Sequence, residues 1–137
     1  MDGGATRRAI LALAVSLILG ACGHHLRQQD AGDDGANAYP ANYKSDIIAA
    51  MHAYLNNPTG IRDAAIAEPA LKASGNVTRY LVCLKFNAKK NVSEYAGTKE
   101  IAASFLAGRF DHFIEMAREP CAGVTYTPFP ELQKLSP

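Results

Sequence analysis

The stretch RYLVCLKF, Arg79 to Phe86, alternates Tyr80, Val82, Leu84 and Phe86 against Arg79, Leu81, Cys83 and Lys85. Neighbouring side chains of a strand point to opposite faces, so four large apolar residues share one face. Leu81 and Cys83 make the other face partly apolar too. Aromatic and β-branched residues at this spacing predict a strand, and one apolar on both sides has to be central and covered twice.

In NYKSDIIAAMHAYLNNPTG, the residues Ile47, Ile48, Met51, Tyr54 and Leu55 recur at helical spacing. Asn42 or Ser45 can cap the start, Asp46 suits the first turn, and Asn56-Asn57-Pro58-Thr59-Gly60 ends the helix. The segment from about Ala64 to Lys72 reads as a weaker strand that Pro69 confines to an edge, with Ser74-Gly75-Asn76 as the turn. Thr98 to Ala117 reads as a hairpin turning at Gly108, or alternatively as one helix interrupted there. The end, EPCAGVTYTPFPELQKLSP, is expected to be irregular and laid over the core. The predicted class is α+β: one N-terminal amphipathic helix packed on an antiparallel sheet of three or four strands, with an irregular Pro-rich C-terminal tail, all within residues 43–137.

Upstream, Arg7-Arg8 precedes the apolar run Ala9 to Leu19. As a helix that run spans only about 16 Å, against roughly 30 Å of bilayer hydrocarbon, so it has the layout of an export signal and not of a membrane span. Leu19-Gly20-Ala21-Cys22 resembles the lipobox of bacterial lipoproteins. The resemblance implies a signal peptide over residues 1–21 and membrane anchoring through lipid on Cys22; two or three acyl chains hold nearly permanently where one is marginal. Gly23 after that cysteine favours the periplasmic face of the outer membrane over the inner membrane.

With Cys22 assigned to the anchor, Cys83 and Cys121 are left as a disulfide pair, and closing their loop is valued at about 4 kcal/mol by the chain-entropy model. Residues 22–42, rich in Gly, Asp, Asn and Ala, read as a flexible tether reaching about 25 Å. His24-His25 within it lack a third ligand and read as solvated spacer.

The formal net charge of +1 falls to zero once Asp2, Arg7 and Arg8 leave with the leader, and that balance argues against nucleic acid, which rewards clustered Lys and Arg. No G-x-S-x-G elbow, H-E-x-x-H pair or Gly-rich phosphate loop is present. Asp111-His112 with Glu115 could be drawn as an acid-base cluster, but His112 falls in an alternating apolar run and reads as a half-buried strand residue. The chain is therefore expected to be no enzyme and to need no metal or cofactor.

The most unusual segment is CLKFNAKKNVSEYAGTK, where a strand runs into polar and cationic residues. Asn87, Lys89, Lys90, Asn91 and Tyr95 are the candidate partner-binding loop, since loops at strand ends commonly carry binding; the plainer reading is a hairpin connection with solvated lysines. YPANYKSDIIAAMHAYLNNPTGIRDAAIAEP, RYLVCLKFNAKKN, EYAGTK and PFPELQKL resemble a group of small alphaproteobacterial lipoproteins. That resemblance implies a cell-envelope lipoprotein with one disulfide-containing domain and supplies no activity. The expected function is a non-enzymatic module that binds an envelope protein or peptidoglycan; the alternative is a small-ligand or lipid carrier in the periplasm.

Overall fold

A computed structural model describes residues 35–56, 58–74 and 76–137. Residues 1–21, read above as a signal peptide, and Cys22 and the His24-His25 pair lie outside the described residues. Within them the order is a 3-10 turn (Gly35–Asn37), α1 (Tyr43–Tyr54), β1 (Arg62–Ile66), β2 (Ala70–Ser74), β3 (Val77–Asn87), β4 (Lys99–Leu106), β5 (Arg109–Ile114), β6 (Thr127–Pro128) and α2 (Pro130–Gln133).

The α+β expectation is overturned, because the domain is mostly sheet. Six antiparallel strands run in the order β5-β4-β3-β1-β6, with β2 also paired to β3, and only two short helices accompany them. The longer helix begins at Tyr43, inside the chain and not at its N-terminus. The tail is not irregular either: it contributes β6 and α2.

Strand β3 is central, as its two apolar faces require. Along one edge it pairs with β4, Cys83 opposite Ala102, and along the other with β1 and then β2. Pro69, without an N–H to donate, falls in the gap that divides this second edge into two strands. Residues 99–114 form the hairpin β4–β5, and its turn residues Ala107 and Gly108 both have positive φ, 51° and 74°. Such a two-residue turn matches the twist of paired strands, whereas a continuous helix would not admit it.

Val82, Leu84 and Phe86 of β3, with Ile101, Ala103 and Phe105 of β4, bury one face beneath Ile47 and Met51 of α1 and beneath Phe129 and Leu132. The opposite face carries a smaller cluster: Ala67, Cys83 and Ala102 below Ala117 and Cys121. There the Cys83–Cys121 disulfide ties the segment after β5 to the middle of β3. Residues 35–42, read as the end of the tether, rest on the domain; Pro40 is buried and the Tyr39 ring meets the Tyr80 ring edge-on at 5.4 Å. No helix among the described residues is long and apolar enough to cross a membrane.

Candidate functional site

Strand β3 ends at Asn87, and the chain needs residues 88–98 to return as β4. Asn87 is itself buried, and its Oδ1 accepts the N–H of Gly97 at 3.0 Å, which closes the base of the connection. The Ala96 N–H donates to the Ala88 carbonyl at 2.9 Å, and Lys89 and Tyr95 form an isolated bridge. At the tip, Asn91 Oδ1 accepts from the Ser93 N–H while Asn91 Nδ2 donates to Glu94, an Asx turn. The Tyr95 hydroxyl donates to the Gly60 carbonyl at 2.9 Å, and the Arg62 guanidinium stacks 3.7 Å from the Tyr95 ring centre.

Three of the five candidate residues therefore build the loop. Asn87, Asn91 and Tyr95 spend their polar groups on the protein itself. Lys89 and Lys90 do not: their ammonium groups form no ion pair among the described residues. The stem of Lys89 crosses Gly60, whose φ is +67° and where an added Cβ would lie 2.9 Å from Lys89 Cε. Glycine at that position gives the lysine its path.

Both lysines line a cleft of about 470 Å³ between the end of α1 and the 88–98 connection. Phe86, Ala88 and Leu55 give it an apolar floor, and Tyr54, Lys99 and Glu115 close its far side. These last three are bonded in a ring of contacts. The Tyr54 hydroxyl donates to Glu115 Oε1 at 2.6 Å, Lys99 Nζ donates to the Tyr54 oxygen, and Lys99 Nζ lies 2.6 Å from Glu115 Oε2.

The hydrogen bond from Lys99, followed by that from Tyr54, holds the Glu115 carboxyl below its ordinary 4.5. Burial pulls Lys99 downward, but its bonds to Glu115 and Tyr54 leave it raised overall. Burial and the bond to Glu115 also raise Tyr54, against the opposing pull of Lys99, so its hydroxyl stays protonated and is no base at neutral pH.

A carboxyl whose folded pKa is depressed stabilises the fold above its unfolded value and loses that contribution as pH falls through the folded one. Glu115→Gln is therefore expected to flatten the acid side of a stability-pH curve below about pH 4.5. Because the Glu115 side chain is 54% exposed, the effect is screened to a few tenths of a kcal/mol. Urea midpoints measured across that range check it; parallel acid limbs for the two proteins would show the pair contributes nothing.

Tyr54, Lys99 and Glu115 escape sequence reasoning because Tyr54 sits in an ordinary helical stripe while its partners lie 45 and 61 residues away. The Asp111-His112 pair lies elsewhere, on β5 at the bulge opposite Ser104 and Phe105. His112 Nδ1 is 3.0 Å from Asp111 Oδ2, and Arg79 pairs with the same carboxylate, so bonding to His112, then to Arg79, lowers the Asp111 carboxyl. With its side chain 56% exposed, His112 is less buried than its alternating context predicts, and Glu115 belongs to the other cluster. No group of three or more metal-ligating side chains occurs among the described residues.

The aromatic strand face that a carrier would use is filled, since Phe86 and Phe105 are fully buried in the core that α1, Phe129 and Leu132 close. What the cleft can do chemically is hold an anion: two uncompensated ammonium groups at its rim, an apolar floor, and a third lysine already neutralised. No family model matches this chain, and neither a curated protein nor a solved structure shows significant similarity to it.

Proposed function

We propose that this chain is a lipid-anchored protein of the cell envelope, non-enzymatic, whose domain binds a partner through the cleft beside Lys89 and Lys90. The anchor rests on the lipobox-like Leu19-Gly20-Ala21-Cys22 and the basic, apolar leader before it. Outer membrane, periplasmic face, is the placement that Gly23 favours. The single observation that supports binding is the pair of lysines that form no ion pair among the described residues at the mouth of a preformed cleft. Elsewhere on the same rim Lys99 is matched by Glu115, so the imbalance is local.

A carrier of apolar ligands is less favoured, because both sheet faces are occupied by the protein's own side chains. The test is photo-crosslinking in living cells from a probe at Lys90, with Lys134 as the control position. The expected result is one discrete adduct, made from position 90 alone, in the membrane fraction; Cys22→Ser should move the protein out of that fraction. Equal diffuse labelling from both positions would overturn the binding reading, and a Cys22→Ser protein that stayed membrane-bound would overturn the anchor.

A further inference from the structure

Beyond the alanine cluster, the disulfide-bearing face of the sheet holds a pocket of about 220 Å³. It is lined by Val77, Arg79 and Leu81 of β3, Ser104 of β4, and His112 and Ile114 of β5. Leu81 pairs with Ser104 and Ser104 with His112, so their side chains share this face. Ser104 is only 1% exposed, yet its hydroxyl forms no hydrogen bond among the described residues. Buried polar groups are ordinarily paired, and the pocket is where a partner can reach this one. A bulge equips the walls. The register shifts between Ser104 and Phe105, so Asp111 is the extra residue of β5. Its carboxylate reaches both His112 Nδ1, at 3.0 Å, and Arg79, which comes across β4 from β3. A carboxylate only accepts, so Nδ1 carries the proton and Nε2 of the neutral ring is left as an acceptor. Arg79 spends one nitrogen on Asp111 and keeps further N–H donors.

We propose that this pocket binds the acetamido group of an N-acetylated amino sugar, as a site separate from the cleft beside Lys89 and Lys90. Its donor and acceptor walls stand on β3 and β5, two strand spacings or about 9.6 Å apart. A trans amide with one hydrogen bond at each end spans about 8 Å, from the Arg79 donor to the His112 acceptor. The amide oxygen takes a second bond from the Ser104 hydroxyl and so supplies its missing partner. The methyl group meets the apolar lining of Val77, Leu81 and Ile114. Charge agrees: Asp111 already balances Arg79, so the pocket favours a neutral polar group over an anion. At about 220 Å³ it is smaller than the roughly 300–1,000 Å³ of sites that enclose a whole small molecule, which suits one pendant group. A peptide amide fits less well, because main chain continues from both of its sides, whereas an acetamido group ends in its methyl.

The experiment follows the backbone amide NMR signals of the isotopically labelled full chain during titration with N-acetylglucosamine. Glucosamine, glucose and N-acetylalanine methylamide are titrated in parallel. Saturable shifts are expected at Leu81, Ser104 and His112 with N-acetylglucosamine, and none with the two sugars that lack the acetyl group. Ser104→Ala and His112→Ala should each weaken binding about fivefold or more, in keeping with one lost hydrogen bond, while the rest of the spectrum stays as in wild type. Lys89→Glu with Lys90→Glu should leave the titration unchanged. No saturable shift with N-acetylglucosamine, or equal shifts with glucosamine, would overturn the proposal. Binding that survived both Ser104→Ala and His112→Ala would do the same, since the sugar would then sit elsewhere. Tighter binding of N-acetylalanine methylamide would overturn it in favour of a peptide. None of these failures touches the cleft, which crosslinking from Lys90 tests by itself.

Discussion

Phe129→Ala is expected to cost about 3–5 kcal/mol, the range for removing a fully buried aromatic side chain. Phe129 is 0% exposed and belongs to the main core with Ile66, Leu84 and Leu132. Its backbone is fixed as well: the Phe129 N–H donates to the Ala64 carbonyl at 2.9 Å, and the Thr127 hydroxyl donates to the carbonyl of Ile66. The ring sits in the one cluster that joins α1, the sheet and α2, so its removal leaves a cavity among all three. Against a total stability of about 5–15 kcal/mol for a native domain, the variant should sit near the edge of unfolding at room temperature. Phe129→Leu, which keeps most of the volume, should cost less than about 1.5 kcal/mol. Urea denaturation of the three proteins decides it; a Phe129→Ala midpoint close to wild type would mean the C-terminal segment is a removable cover and no part of the core.

That segment is where sequence reasoning went furthest astray, and the prolines explain why. Pro128 and Pro130 flank Phe129 and suggest irregular chain, because proline lacks an N–H and fixes φ. Both nevertheless sit where those properties do no harm. Pro128 lies in the two-residue strand β6 at the edge of the sheet among the described residues, and Pro130 opens α2, whose first N–H groups have no helical partner anyway. Strand β3 was legible because its alternation is local and its burial on two faces demands a central place. The helix α1 was legible from its stripe, Ile47 and Met51 being fully buried.

Pairings between distant segments were not legible, which is why six strands form where three or four were expected. The candidate site divides in the same way. Lys89 and Lys90 stood out as adjacent charges in a polar loop. Tyr54 reads as one position of a helical stripe, Glu115 as a neighbour of Asp111-His112 and Lys99 as an ordinary charge, and the three become a cluster only when α1, β4 and the end of β5 meet. Asn87, Asn91 and Tyr95, read as part of a partner-binding loop, use their polar groups to shape the turn that presents the lysines.

Removing the disulfide, by Cys83→Ala with Cys121→Ala, is expected to cost about 2–5 kcal/mol, and the reason lies in the unequal faces of the sheet. The helix-covered face buries Phe86, Phe105, Phe129 and several large aliphatic residues. The opposite face has mainly alanines, Ala67, Ala102 and Ala117, which let the segment after β5 approach closely but remove little apolar area from water when they are buried. At the rim of this face Tyr126 donates to Glu100 at 2.5 Å, and Lys85 lies 4.3 Å from the Tyr126 ring centre, contacts partly open to solvent.

Packing alone thus holds this segment weakly, and the bond across 38 residues supplies the remainder by restricting the unfolded chain. For a domain of this size each kcal/mol lowers the melting temperature by about 4–8 °C, so the double variant should melt at least about 8 °C below wild type. Wild type in strong reductant should follow it. Amide exchange should accelerate first between Ala117 and Tyr126, while β3 and β4, held by the larger core, stay protected longer. Equal melting temperatures, or exchange that rises uniformly through the sheet, would show that the alanine face is stable without its crosslink.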